Sequence, residues 1–365
     1  MEELRIPLDE IKASVQALAS GKTPSPELES KHLKILEEYE CWEPMLAYLK
    51  RKVSNSKTRN FNDYVKIALV QAQYLENIAG CAETCAQLVV DVRTGFQEFS
   101  QKVIDTIFEK ENYVDEAVVL RAICDKLPHV SEQVLCLERL CLIYEKKYFN
   151  EDMLNATYEK LLQVAPKNAK ALRYFKMVFT QNHEWDKVAD ILETLLENSS
   201  HSTDRARLGL ELASVNLYQL DSPTSAIQLV EEHCKGGFLD TSTVLFEAYR
   251  RLGDLENCIK ILQSVVPKAK NDRMKAILFF KIATLHKRLR QWNEAENNYA
   301  TSIGLDGTFL EAFEGMIEIL IAQKKWPLLE DRLGQVADQV QPLDLKKKIG
   351  ECRQRVQQAR FAAKS

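Results

Sequence analysis

Glycine and proline are scarce in this chain, with 12 Gly and 10 Pro in 365 residues. Stretches in which Val, Ile and Thr alternate with polar residues are nearly absent, which removes the period-two pattern of a half-buried strand. Few breakers and little strand pattern leave long helices joined by short turns, so the expected class is all-α. No stretch approaches the roughly eighteen apolar residues of a membrane-crossing helix, and MEELRIPLDEIKASVQALAS opens with two acids and builds no signal-like apolar core. The chain is therefore expected in the cytoplasm, without membrane insertion. An excess of either charge is lacking too. With 49 Lys and Arg against 53 Asp and Glu, the net charge of −4 gives no general attraction to nucleic acid, which is not an expected partner.

Recognisable site chemistry is missing as well. The nine cysteines are scattered and odd in number, which fits reduced thiols used as small core residues. Cys81 and Cys85 share a helix face, but a structural zinc site needs four ligands. Gly21–Lys22–Thr23 has the end of a phosphate loop, yet Gln16 stands where the first glycine of that motif belongs, five residues before Gly21, and no strand precedes it. The six histidines are dispersed without a nucleophile at a matching spacing. The expectation is a non-enzyme without metal or cofactor.

What is present is a repeat. Trp326 lies 34 residues after Trp292, and each opens an apolar-periodic helix after a polar turn. If Trp292 is position 17 of a unit, Ala283 takes position 8, Ala295 position 20, Tyr299 position 24 and Gly307 position 32. The same frame puts Leu142 at 8, Tyr158 at 24 and Pro166 at 32 of an earlier unit. It puts Trp185 at 17 of the next, Ala226 at 20 of another, and Tyr249 at 11 and Cys258 at 20 of a third. Trp42 marks an early unit, and residues 63–95 fit worst. Pro44, Pro223 and Pro327 lie near position 17, where a helix start tolerates the missing N–H.

This pattern resembles the tetratricopeptide repeat, with its small residues at positions 8 and 20 and its aromatics at 4, 11, 17 and 24. The resemblance implies an α-solenoid, a right-handed superhelix of stacked antiparallel helix pairs. About nine pairs are expected over residues 26–341, the first three degenerate. A cap helix and linker would occupy 1–25, with the stripe Leu8, Ile11, Val15 and Leu18. A basic cap helix would occupy 342–365, with the stripe Leu345, Ile349, Cys352, Val356, Ala359 and Ala363 beside Lys346, Lys347, Lys348, Arg353, Arg355, Arg360 and Lys364.

In repeats of this kind, positions 2, 5, 6, 9, 12 and 13 of the first helix line a groove. Here they include Arg139, Lys146, Lys147, Lys170, Arg173, Tyr174 and Met177, then Arg250, Arg251, Lys281, Lys287 and Arg288, before Glu311, Glu314 and Glu318 reverse the sign. A basic groove suits an acidic or C-terminal segment of a protein partner. The Asn pair of the chaperone-binding clamp is absent, since Lys281 and Thr284 stand there. The function implied is a non-catalytic scaffold or adaptor for protein–protein interaction. The alternatives are an RNA-processing scaffold of the half-a-tetratricopeptide type and a regulator or enzyme with a cryptic site.

Overall fold

The computed structural model describes residues 8–20, 24–56, 59–108, 112–234 and 241–329, together with 331, 350, 351, 354, 356–358 and 361. Every regular element among them is a helix, so the all-α class is borne out. After α1 (Leu8–Ala19) the helices follow in pairs: α2 (Pro26–Glu38) with α3 (Trp42–Asn55), and α4 (Phe61–Leu69), continued by a π turn Val70–Tyr74, with α5 (Ile78–Val92). The run α6 (Phe96–Phe99), π turn Ser100–Ile104 and α7 (Asp105–Ile107) precedes α8 (Tyr113–Cys124). Next come α9 (Val130–Leu142), with its π turn Ile143–Lys147, and α10 (Glu151–Val164). Then follow α11 (Ala169–Gln181) and α12 (Trp185–Asn198), α13 (Ser202–Tyr218) and α14 (Pro223–His233), α15 (Ser242–Leu252) and α16 (Leu255–Val265), and α17 (Asp272–Arg288) and α18 (Trp292–Leu305). Finally α19 (Leu310–Ala322) precedes a helical start at Trp326.

The chain divides into two compact units, Met1–Tyr174 and Phe175–Ser365. In the first, α1 packs on α2 and α3, and α3, α4 and α5 pack in succession. Next, α5 meets α8, α8 meets α9 and α9 meets α10. In the second, each helix from α12 to α19 packs on the next. There α13 also touches α15 and α17 touches α19, so first helices of neighbouring pairs adjoin.

The turn inside a pair has a recurring backbone. Glu40, Glu76, His183, Asp221, Gly253, Arg290 and Lys324 all have positive φ, and each stands two residues before its second helix begins. One residue later, the N–H of Cys41, Glu184, Asp254, Gln291 and Lys325 donates five residues back, to the carbonyls of Leu36, Phe179, Tyr249, His286 and Leu320. A left-handed residue with a bond of this reach is the Schellman stop, which satisfies carbonyls orphaned at a helix end. Only Gly253 among the seven avoids the Cβ cost of about 1–2 kcal/mol that this conformation carries. The second helices α5, α10 and α16, and the first helices α4 and α17, start on capping side chains. Asn60, Asn77, Asn150, Asp254 and Asn271 each accept a backbone N–H of the first turn.

Small residues sit where helices approach. Ala226, Cys258, Ala283 and Ala295 are fully buried. Tyr299 is buried in the same cluster as Ala283 and Ala295, with the half-buried Trp292 and Trp326 packed against it. Trp185 and Tyr249 likewise pack half-buried on clusters of the second unit. In the first unit, Trp42 stacks on Tyr74 at 3.7 Å between ring centres.

The frame position given to Leu142 is corrected. Leu142 is exposed, whereas its neighbour Cys141 is buried against α10. The cause is the π turn at Ile143–Lys147, which holds one residue more than an α turn and shifts everything before it by one. Deleting Glu145, exposed within that turn, is expected to close it to α-helix and preserve helicity and a cooperative melt. Deleting Glu159 from α10 would instead rotate the buried Leu161 by about 100° and abolish the cooperative transition. Circular dichroism melts of the two deletions check this.

In the expected N-terminal stripe, Leu18 is buried and Leu8 is exposed. Gly21–Thr23 lies outside the described residues. So do Leu345, Ile349, Cys352, Ala359 and Ala363 of the C-terminal stripe, and its basic residues Lys346, Lys347, Lys348, Arg353, Arg355, Arg360 and Lys364. Val356 is described and is buried in the cluster of Phe313, Met316 and Leu329.

Candidate functional site

The charged side chains of the first helices were the expected site, and the fold gives them two different uses. Arg139, Lys170, Arg251 and Lys287, together with Lys176, are spent on neighbours about one repeat away. Arg139 on α9 donates from Nε to Glu116 Oε1 of α8 at 2.5 Å and from Nη1 to Ser100 Oγ, with Asp105 Oδ1 at 3.7 Å. Glu116 is buried, so this guanidinium neutralises an internal carboxylate. Lys170 on α11 reaches Glu138 of α9 at 2.7 Å. Lys176 reaches Glu211 of α13 at 2.7 Å, and Lys287 of α17 pairs with Glu318 of α19. Arg251 donates to the Leu217 carbonyl and to Asp221, each at 2.7 Å.

The remaining expected groove residues are placed as follows. Lys146 and Lys147 are exposed on the π turn, Lys147 lying 5.1 Å from the centre of the Tyr113 ring. Tyr174 stacks on Tyr158 at 4.2 Å and donates to Asn155 Oδ1 at 2.5 Å. Met177 is exposed. Arg173, Lys281 and Arg288 are exposed and, like Lys146, have no ion-pair partner among the described residues.

Arg250, Arg251 and Lys281 are brought to one place. Glu247 accepts from Arg250 Nε and Nη2, each at 2.7 Å, and from Arg251 Nε at 3.1 Å. It also lines, with Lys281, a cavity of about 380 Å³. Its carboxyl is held at about 2, below its ordinary 4.5, by the Arg250 guanidinium first and, against the opposing effect of burial, by Arg251. A depressed pKa contributes stability that is present above the ordinary value and lost as pH falls through the folded one. The urea-unfolding gap between wild type and Glu247→Gln is thus expected to stay constant from neutral pH down to about 5 and to close between 4.5 and about 2.

The rest of that cavity escaped the sequence reading. Tyr218, Phe246, Ile261, Leu262 and Val265 line it with Lys281. Phe246 and Ile261 belong to different helices of one pair, Tyr218 to the pair before and Lys281 to the pair after. Only the i, i+4 spacing of Ile261 and Val265 marks any of this face in the sequence. The thiols have internal uses. Cys136 donates to the Leu120 carbonyl at 3.4 Å, and the eight described cysteines are free. No cluster of metal-ligating residues is found among the described residues. None of the described helices is long and apolar enough to cross a membrane.

Helix pairs joined by left-handed turns, small residues at the close approaches and ion pairs one repeat apart define a helical-repeat protein of tetratricopeptide-like build. Among solved structures the chain is similar to yeast Tom70, with 11% identity over 97% of this chain and 92% of that one and a TM-score of 0.30. It is also similar to the tetratricopeptide repeat domain of P58(IPK), at 13% identity over 92% and 98% with a TM-score of 0.27. A third likeness is to a tetratricopeptide repeat protein from Parabacteroides merdae, at 10% identity over 86% and 99% with a TM-score of 0.24. No family model and no curated protein matches the chain.

Proposed function

We propose that the chain is a non-catalytic scaffold, working in the cytoplasm, that holds a segment of a protein partner along the first helices of its repeats. The observation that supports this most is the division of the first-helix cations. Arg139, Lys170, Arg251 and Lys287 are taken up between repeats, whereas Arg173, Lys281 and Arg288 stand exposed without an ion-pair partner among the described residues. An exposed cation without an internal partner is available to a carboxylate supplied from outside, and such charge mainly sets encounter rate and register.

Affinity capture from lysate tests the reading with wild type and an Arg173→Glu, Lys281→Glu double variant. Arg139 is left untouched, because reversing it would damage the fold. Loss of specific partners from the double variant, at an unchanged melting curve, is the expected result. Recovery of the same partners by both proteins would refute the reading.

A further inference from the structure

The cavity beside Glu247 is apolar underneath, with Glu247 and Lys281 the charged residues of its lining. Phe246 of α15 and Ile261, Leu262 and Val265 of α16 supply carbon, and Tyr218 of α13, a residue 44% exposed, lines it as well. At about 380 Å³ it is near the lower end of the roughly 300–1,000 Å³ typical of ligand pockets, room for a large side chain and a little backbone.

The charges around it can be followed one by one. Glu247 and Asp221 carry two negative charges, and Arg250 and Arg251, bonded to them, carry two positive ones, so these four cancel. Glu247 keeps its charge to about pH 2, so the cancellation holds throughout the physiological range. Lys281 is left over. It is exposed, lines the cavity and has no ion-pair partner among the described residues. Among the described residues these five charges sum to +1 above an apolar floor, which repels a basic segment and favours a carboxylate.

Resting on the scaffold reading, we propose that this cavity receives an acidic protein segment in extended form. One Leu- or Phe-sized side chain enters between Phe246 and Val265, and a neighbouring Asp or Glu carboxylate pairs with Lys281 Nζ. The apolar anchor supplies most of the binding energy and the ion pair the register, as in other anchored interfaces. A nucleic acid strand would need a track of cations with exposed aromatics for stacking, and one unpaired lysine beside a single open, apolar-floored cavity does not provide it.

Selection of phage-displayed random peptides on the full chain, followed by fluorescence binding of the selected peptides, tests this. Peptides with a large apolar residue beside Asp or Glu are expected. Lys281→Glu should weaken them roughly tenfold or more and Lys281→Arg should retain them. Thr243→Trp, placed on the exposed edge of the same cavity, should block it while leaving the buried core intact. Acidic peptides that bind wild type, Lys281→Glu and Thr243→Trp equally would overturn the proposal and leave the scaffold reading standing elsewhere on the chain. Selection of basic or uncharged peptides at the Thr243-sensitive site would also overturn it. Recovery of no peptide by the folded chain would count against both readings.

Discussion

Arg139→Ala is expected to cost about 3–5 kcal/mol in urea unfolding, far more than removal of an ordinary surface charge. The reason lies in Glu116, which is buried with only 6% of its surface exposed and whose Oε1 accepts from Arg139 Nε. Removing the arginine leaves a buried carboxylate without its cation, and Ser100 Oγ and Asp105 lose the same guanidinium. Three stretches of the first unit, the π turn after α6, α7 and α8, are tied to α9 through this one side chain. Pairing Arg139→Met with Glu116→Leu should recover most of the loss, since an apolar replacement of both partners costs little. A single-variant cost below about 1 kcal/mol, the scale of exposed pairs, would show that Glu116 is hydrated.

The second large effect reverses a general rule. Alanine normally stabilises a helix relative to glycine by about 0.5–1 kcal/mol. At Gly315 in α19 it should destabilise, by about 1–3 kcal/mol after the propensity gain, because the new Cβ would lie 2.5 Å from Tyr299 Cζ. Tyr299 has no room to retreat. It is buried, its ring adjoins Phe280 at 5.8 Å, and its Oη is bonded to Thr284 Oγ1 at 3.2 Å. Gly304→Ala in α18, where a Cβ meets nothing within 4 Å, is the control and should be neutral or stabilising. Urea midpoints of the two variants check the contrast, and a stabilised Gly315→Ala would mean that Tyr299 does not fill this gap.

These effects show what the sequence could and could not reveal. From α11 onward no π turn interrupts the described helices, and the position-20 residues Ala226, Cys258 and Ala295, spaced by 32 and 37 residues, are all small and buried. Before α11, π turns at Val70–Tyr74, Ser100–Ile104 and Ile143–Lys147 each insert a residue into a first helix. A fixed period then slips, which is why Leu142 was taken for Cys141 and why 63–95 matched worst. A wide turn is set by packing and leaves no reliable mark in composition.

The pairing of the charges is hidden in the sequence for a different reason. Helix periodicity tells which face a residue occupies and says nothing of what stands across from it. Arg139 and Lys281 look alike in sequence, but Glu116 faces the first and a cavity the second. The apolar lining around Lys281 is invisible in the sequence because its residues come from three other helices. The left-handed residues two positions before seven of the second helices are equally hidden, since Glu, His, Asp, Arg and Lys occupy six of the seven places where glycine would have announced a turn.

The central claim is that first-helix cations divide into those that join repeats and those that face a partner. Urea unfolding of two matched variants tests it most directly, one with Arg139, Lys176, Arg251 and Lys287 changed to Gln and one with Lys146, Arg173, Lys281 and Arg288 changed to Gln. The first set is predicted to lower the midpoint markedly and the second to leave it at the wild-type value. Equal shifts in both, or a larger shift in the second, would contradict the account.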